Sequence, residues 1–215
     1  MSEHYIHRGL AKKSFKENTL SAFKYSFEKK YGIETDLHVT KDNQLICFHD
    51  FNLKRKFNLN KKVKDVYYSD IKKISIKNHA RVPLLKELLK ISKNKHFLLL
   101  EIKPFLKDKN LQDLATLLKK VKKYKIISFK EKNLVKMYQL NKKIPLGLLM
   151  LSNTNLKEIK AKSKLKHVKF IVLDKKFLIK KKLKKIKKPI YFYTIRSKKL
   201  FNKYRNSKNL IFENL

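Results

Sequence analysis

Two histidines, three carboxylates and two cations are set in order along the first half of the chain: His7, Arg8, Glu34, Asp36, His49, Glu101 and Lys103. Glu34 and Asp36 lie two apart in an apolar run, so on a strand both side chains project to one face. Two carboxylates side by side repel, and both ionise comfortably only with a cation between them. Oxygen ligands of this kind suit one hard divalent ion, Mg²⁺ or Ca²⁺. Glu101 ends the run Phe97-Leu98-Leu99-Leu100, where an unpartnered charge is costly to bury. A cation shared with Glu34 and Asp36 would supply that partner. The competing reading, a surface ion pair between Glu101 and Lys103, leaves Glu34 and Asp36 without a third ligand.

Lys103 shares Glu101's strand face and can reach a phosphate oxygen. Arg8 can clamp a phosphate through two N–H groups, and Gly9 lets the backbone turn tightly beside it. His7 closes the first apolar run and His49 closes the third. A single histidine after a strand is usually structural. Two of them beside a carboxylate cluster point to an acid/base pair. His38 has the strand parity of Glu34 and Asp36, and a packed or exposed histidine at a strand end is its favoured reading. The whole set has the composition of a metal-assisted phosphodiester hydrolysis site.

Short apolar runs must position these groups. Strands are expected at His4–His7, Ile33–Thr40, Phe97–Ile102, Lys125–Ser128, Pro145–Leu149, Phe170–Leu173, Ile190–Ile195 and Leu210–Phe212, with Gln44–Phe48 as an excursion after the second. Helical spacing links many of them: Leu20, Phe23, Phe27 and Tyr31 after a cap at Asn18 or Thr19; Leu111, Leu114, Leu118 and Val121; Leu134, Met137 and Tyr138; Leu178, Leu183 and Ile186. Residues 51–95 depart most from alternation, with a lysine-rich loop, a short helix near Ser69–Ile74 and a helix over Leu84–Ile91. Eight strands alternating with helices predict an α/β fold, a (β/α)8 TIM barrel, as one domain over residues 1–215. The eighth strand ends close to Leu215, so a shortened C-terminal end without the last helix is expected, and closure there is short or completed by another chain.

The charge is extreme, +39 from 56 Lys and Arg against 17 Asp and Glu. Only five of the cations are arginines, at Arg8, Arg55, Arg81, Arg196 and Arg205. Along the sequence the lysines are spread over all segments, which favours compositional drift over a nucleic-acid patch, where Arg is preferred and charge is concentrated. The field would help attract an anionic substrate. Cys47 is the single cysteine, so no internal disulfide forms. The N-terminus has no apolar signal region, and runs such as Phe97–Leu100 and Pro145–Leu151 are too short to span a bilayer. A cytoplasmic location is expected.

At these residues the chain resembles the glycerophosphodiester phosphodiesterase family. The likeness lies in His7-Arg8-Gly9, Glu17-Asn18-Thr19 with Ala22-Phe23, Gly32-Ile33-Glu34-Thr35-Asp36, Thr40-Lys41-Asp42, His49-Asp50, Val82-Pro83-Leu84 and Glu101-Ile102-Lys103, and Tyr193-Thr194-Ile195 looks like the family's late Trp-Thr-Val stretch. It is strong to about residue 104 and fades beyond. The resemblance implies a TIM barrel and metal-dependent hydrolysis of glycerophosphodiesters to glycerol 3-phosphate and an alcohol, within lipid and glycerol metabolism. It implies Glu34, Asp36 and Glu101 as metal ligands, His7 and His49 as the acid/base pair, Arg8 and Lys103 as phosphate contacts, and Asn18 and Tyr193 in the pocket. It also implies two steps through a cyclic phosphate. Departures from the family's pattern are Tyr193 where a Trp is usual, Arg196 where an Asn is usual, and Phe212-Glu213-Asn214-Leu215 in place of Thr-Asp-x-Pro.

Three functions compete. The first is a glycerophosphodiesterase acting on a small-molecule substrate, with no nucleic-acid partner expected and weak electrostatic membrane association conceivable. The second is a lysophospholipase D-like activity on a substrate with one acyl chain, which needs an apolar groove beside the site. The third is a non-enzymatic basic barrel that binds nucleic acid or anionic membrane.

Overall fold

Apolar runs of four to eight residues separated by helical periodicity can bury both faces only as parallel strands covered by helices. The computed structural model, which describes residues 2–11 and 16–215, has this arrangement. In chain order the elements are β1 (His4–His7), α1 (Leu20–Glu28), β2 (Gly32–Val39), β3 (Leu45–Cys47), β4 (Asn52–Leu53), α2 (Lys54–Phe57), β5 (Leu59–Lys62), α3 (Tyr68–Lys77), α4 (Leu85–Ser92), β6 (Leu98–Ile102), α5 (Asp108–Leu118), β7 (Tyr124–Ser128), α6 (Glu131–Leu140), β8 (Leu146–Leu149), α7 (Leu156–Ser163), β9 (Phe170–Asp174), β10 (Ile190–Ile195), α8 (Lys198–Tyr204) and β11 (Asn209–Phe212). Eight strands, β1, β2 and β6 to β11, pair in parallel around a closed (β/α)8 barrel. Closure is made within the chain, by β11 against β1 in the register His4–Leu210, Tyr5–Ile211 and Ile6–Phe212. No helix follows β11 in residues 213–215.

Strand alternation sorts the side chains into two layers. Tyr5, Leu99, Ile127, Leu149, Phe170, Val172, Tyr191 and Ile211 fill the inside of the barrel. Ile6, Ile33, Leu37, Leu98, Leu100 and Ile102 face out and pack under the helices. Each such side chain contributes about 1.5–3 kcal/mol when fully buried. Gly147 makes room for the inner layer: a Cβ there would stand 2.2 Å from Cε2 of Phe170.

Helix α1 starts where the cap signal places it. Thr19 Oγ1 accepts from the Ala22 amide at 3.3 Å, and Ala22, Phe23 and Phe27 are the buried stripe. The spacing of Leu178, Leu183 and Ile186, which predicts a helix, yields only 3₁₀ turns at Lys175–Phe177 and Lys181–Lys185. Lysines at 180, 181, 182, 184 and 185 place like charges three and four apart, which opposes a longer helix. Helices α7 and α8 carry weaker periodicity, which does not predict them from sequence.

The excursion after β2 is larger than one strand. β3 runs antiparallel to the far end of β2, pairing Leu37 with Cys47, and β4 and β5 form a hairpin around α2. Their side chains make a separate core of Ile46, Phe48, Leu53, Phe57, Val63 and Ile71. This small core holds His49, Asp50 and Arg55 over one side of the barrel mouth. Among the described residues no helix is long and apolar enough to cross a membrane.

Candidate active site

Register builds the site. β1 and β2 place His7 beside Glu34, and β2 and β6 place Asp36 beside Glu101. All four have inward parity, as does Lys103 two residues past Glu101. Like charges directly opposite on neighbouring strands repel. Glu34, Asp36 and Glu101 are buried, and each offers an oxygen within 4.8 Å of the others.

Hydrogen bonds and cations hold this triad from outside. Arg8 and Asn18 both have positive φ, 56° and 55°, so the chain after β1 folds back on the carboxylates. The Arg8 amide donates to Glu34 Oε2 at 3.3 Å, and Arg8 Nε lies 3.2 Å from Asp36 Oδ2. Asn18 donates to Asp36 Oδ2 at 3.0 Å and accepts from Thr35 Oγ1 at 2.7 Å. Asn18 is buried and sits behind Asp36 rather than lining the pocket, a departure from the expected placement. Its amide is spent orienting the carboxylate. Lys103 Nζ is 2.9 Å from Glu101 Oε1 and 3.4 Å from Asp36 Oδ1. Those two buried oxygens accept no well-directed hydrogen bond.

This electrostatic state fits a bound cation. Burial, with Asp36 and Glu101 nearby, holds the Glu34 carboxyl well above the usual carboxylate range. Burial and Asp36 push Glu101 up to about 7. Burial alone would raise Asp36 too, but Arg8 and Lys103 outweigh it and lower its pKa. Three acids that cannot all ionise comfortably, with two buried oxygens lacking hydrogen bonds, are the donor set a hard divalent ion satisfies.

Each of the two candidate acid/base histidines has Nδ1 on a carboxylate. His7 Nδ1 is 3.0 Å from Glu213 Oε2, and its Nε2 is 4.0 Å from Glu34 Oε2. His49 Nδ1 is 2.7 Å from Asp50 Oδ1. An arginine backs each carboxylate: Arg196 on Glu213 at 3.1 Å, Arg55 on Asp50 at 2.6 Å. Arg55 also reaches Glu17 at 3.1 Å, which in turn pairs with Arg8 and with Lys56. The Glu17 carboxyl is held far below the usual range, because Lys56, Arg8 and Arg55 overcome its burial. Burial lowers the pKa of His49 despite Asp36 and Asp50.

One cleft of about 190 Å³ at the C-terminal barrel mouth is lined by His7, Arg8, Glu34, His49, Glu101 and Lys103, with Tyr193 and Arg196 on its other side. Tyr193 donates to the Met150 carbonyl at 3.0 Å and meets Phe129 edge-on. A second groove of about 390 Å³ shares Glu101, Lys103, Phe129 and Leu149 with it and runs out past Phe51, Met150 and Leu151. His38 is buried, with Nε2 3.2 Å from the His49 carbonyl, and burial pushes it down to about 4. It supports the His49 loop from behind. Four further residues complete the site beyond the set expected from sequence: Glu213, Asp50, Arg55 and Glu17. The sequence offers signals for three of them: Glu17 and Asp50 lie in motifs that carry the family resemblance, Glu213 stands where the family has Asp, and Arg55 carries none.

The family model for the glycerophosphoryl diester phosphodiesterase family matches residues 7–208. The chain belongs to this family. A lysophospholipase D of Homo sapiens is 34% identical over 110 residues, 44% of this chain and 34% of that protein. The matched segment spans less than half the length of the curated relatives it aligns with first. Among solved structures, the glycerophosphodiester phosphodiesterase of Thermotoga maritima superposes with a TM-score of 0.83 at 20% identity, covering 100% of this chain and 95% of that one. A phosphodiesterase of Oleispira antarctica, solved with the product sn-glycerol-3-phosphate, gives 0.83 at 19% identity over 99% and 92%. At these identities the two structures establish the barrel.

Proposed function

We propose that this chain is a divalent-cation-dependent glycerophosphodiester phosphodiesterase that releases glycerol 3-phosphate and an alcohol. The observation that carries the reading is a single cleft lined by Glu34, Glu101 and both carboxylate-backed histidines, with Asp36 completing the triad behind it. A divalent cation held by Glu34, Asp36 and Glu101, Mg²⁺ or Ca²⁺, would supply Lewis-acid polarisation of a phosphoryl oxygen.

The chain's own groups do the rest. With Nδ1–H given to Glu213 or Asp50, a neutral imidazole keeps Nε2 as its acceptor. One histidine takes the proton of the glycerol hydroxyl next to the phosphate, and that oxygen attacks phosphorus. The other protonates the departing alcohol oxygen. A cyclic phosphate forms, and water opens it with the histidine roles exchanged. Arg8 and Lys103 set positive charge where the phosphoryl oxygens gain negative charge, and they cost no reorganisation during the reaction.

The apolar groove beside Glu101 favours a second substrate: a glycerophosphodiester carrying one acyl chain, as the name of the human relative indicates for that protein. Phe51, Met150 and Leu151 would cover the chain's first methylenes, each worth about 0.8 kcal/mol.

The experiment follows release of the alcohol, with Mg²⁺, with Ca²⁺ and with EDTA: from glycerophosphocholine and glycerophosphoethanolamine, where glycerol 3-phosphate is the other product, and from lysophosphatidylcholine, where lysophosphatidic acid is. Turnover abolished by EDTA, by His7→Ala and by Glu34→Ala is expected. A folded protein with no turnover on any of them, with either ion, would sink the proposal.

A further inference from the structure

The barrel sorts the chain's charges between its two ends. Each segment returning to the start of a strand lies at the barrel end opposite the cleft, so residues far apart in sequence meet there. The seven return segments 29–31, 93–97, 119–123, 141–145, 164–169, 186–189 and 205–208 contain 32 of the 215 residues. They carry 17 of the 56 Lys and Arg and none of the 17 Asp and Glu. Even spreading over the chain would leave about half as many cations there, accompanied by two or three acids. Drift alone therefore does not account for this end of the molecule.

Most of these cations are exposed, and among the described residues none of them takes part in an ion pair with a carboxylate. Two acids lie near this end: Glu28, the last residue of α1, stands beside Lys29 and Lys30, and Glu3 before β1 is engaged by Lys125 and by the hydroxyls of Tyr191 and Tyr5. The surface is also fixed rather than a set of loose tails. Asn94 Oδ1 accepts from the Lys122 amide at 3.0 Å, Lys123 Nζ donates to the Lys95 carbonyl at 3.2 Å, and Lys188 Nζ donates to the Leu165 carbonyl at 2.7 Å.

Helix C-termini favour nearby cations by about 0.3–1 kcal/mol each. That accounts for one cation per helix end, not for four in 119–123. Cations crowded without counter-charges repel, and an anionic partner relieves the repulsion.

We propose that the barrel end opposite the catalytic cleft is a docking surface for an anionic lipid bilayer. The cations ring the end of a barrel, and a planar fluid array of headgroups engages such a ring all at once, at roughly 1 kcal/mol per cation near the surface. A nucleic-acid strand would meet only the part of the ring its phosphates cross. Sixteen of the 17 are lysines, with Arg205 the exception. Lysine is a compact point charge, without the guanidinium fork that nucleic-acid recognition favours. Phe97, 43% exposed, lies among them with Lys123 Nζ 5.1 Å from its ring centre, and can enter the headgroup region. Docked this way, the cleft faces water.

The test uses vesicles of phosphatidylcholine with and without 30% phosphatidylglycerol, in a co-flotation titration at several salt concentrations. One protein carries Lys→Gln at Lys95, Lys119, Lys122, Lys142, Lys166 and Lys187. A control of equal net charge carries Lys→Gln at the exposed residues Lys54, Lys61, Lys72, Lys73, Lys86 and Lys132. Circular dichroism verifies both folds. The expected result is at least a tenfold loss of affinity for the first and less than threefold for the control, with parent binding falling steeply as salt rises. Because the chain has no tryptophan, Phe97→Trp and Phe105→Trp each add a unique donor, at the basic end and at the mouth. Energy transfer to dansyl-labelled lipid should be stronger from the Phe97→Trp protein. Equal losses in the two sextuple variants, equal or stronger transfer from Phe105→Trp, or tighter binding to duplex DNA than to vesicles at the same salt would each overturn the proposal.

Discussion

Glu213 Oε2 lies 3.0 Å from Nδ1 of His7, and two nitrogens of Arg196 reach the same oxygen at 3.1 Å. Glu213 follows the last strand and His7 ends the first, so the contact exists only because β11 pairs with β1. The hydrogen bond from His7, followed by the charges of His7 and Arg196, holds the Glu213 carboxyl down at about 2. A permanent carboxylate there fixes which ring nitrogen carries the proton. Glu213→Gln is expected to lower kcat by roughly 10–100-fold with little change in KM, since comparable orienting carboxylates have effects of that size. Steady-state kinetics at saturating cation, beside Glu213→Asp, checks it. An unchanged kcat would show that the contact is structural.

Removing one buried carboxylate should trade function for stability. Glu34 is buried among like charges, so Glu34→Gln is expected to stabilise the cation-free protein by about 1–2 kcal/mol. The same change should abolish the rise in Tm on adding Mg²⁺ or Ca²⁺ and the turnover that depends on it. Melting curves in EDTA and in excess cation provide the measurement.

Cation affinity should depend on pH through Glu101. Its folded pKa of about 7 lies above the ordinary 4.5, so its stabilising contribution to the cation-free protein is greatest below 4.5 and is lost as pH rises through 7. A cation needs the ionised form. Glu34, also held above the usual range, must ionise as well, so affinity is expected to rise from pH 5 through 7, and Glu101→Gln should remove the part of that slope centred near 7. Calorimetric titration at several pH values would show it.

His38 has the opposite linkage. Its folded pKa is about 4 against 6.5, so the unfolded chain takes up a proton that the folded protein excludes. Stability falls as pH drops from 6.5 toward 4, by up to about 3 kcal/mol from this group. His38→Asn should flatten that part of the stability curve in urea titrations at pH 4.5, 5.5 and 6.5.

Gly147→Ala would drive a methyl group into the ring of Phe170, 2.2 Å away. A loss of about 1–3 kcal/mol is expected from overpacking the inner barrel layer, with Phe170→Leu restoring part of it. Denaturant midpoints of the single and double variants decide this.

The strands, their inward parity and the cluster of three carboxylates were legible in the sequence because period-two alternation carries straight through Glu34-Thr35-Asp36 and Glu101-Ile102-Lys103. Local spacing determines which face a strand residue takes, whatever surrounds it. The helix start at Asn18 or Thr19 was legible for the same reason, since a helix start is made by neighbours, and the structure gives the cap to Thr19. Three things lay outside local spacing. The 178–186 periodicity lost to lysine crowding. Asn18 turned behind Asp36 because positive φ at Arg8 and Asn18 folds the chain back. Glu213 reached His7 across 206 residues because the barrel closes. Sixteen lysines, spread along the sequence, meet at one barrel end because every return segment must begin its strand there. Sequence sets the local chemistry, and only closure of the barrel decides which distant charges become neighbours.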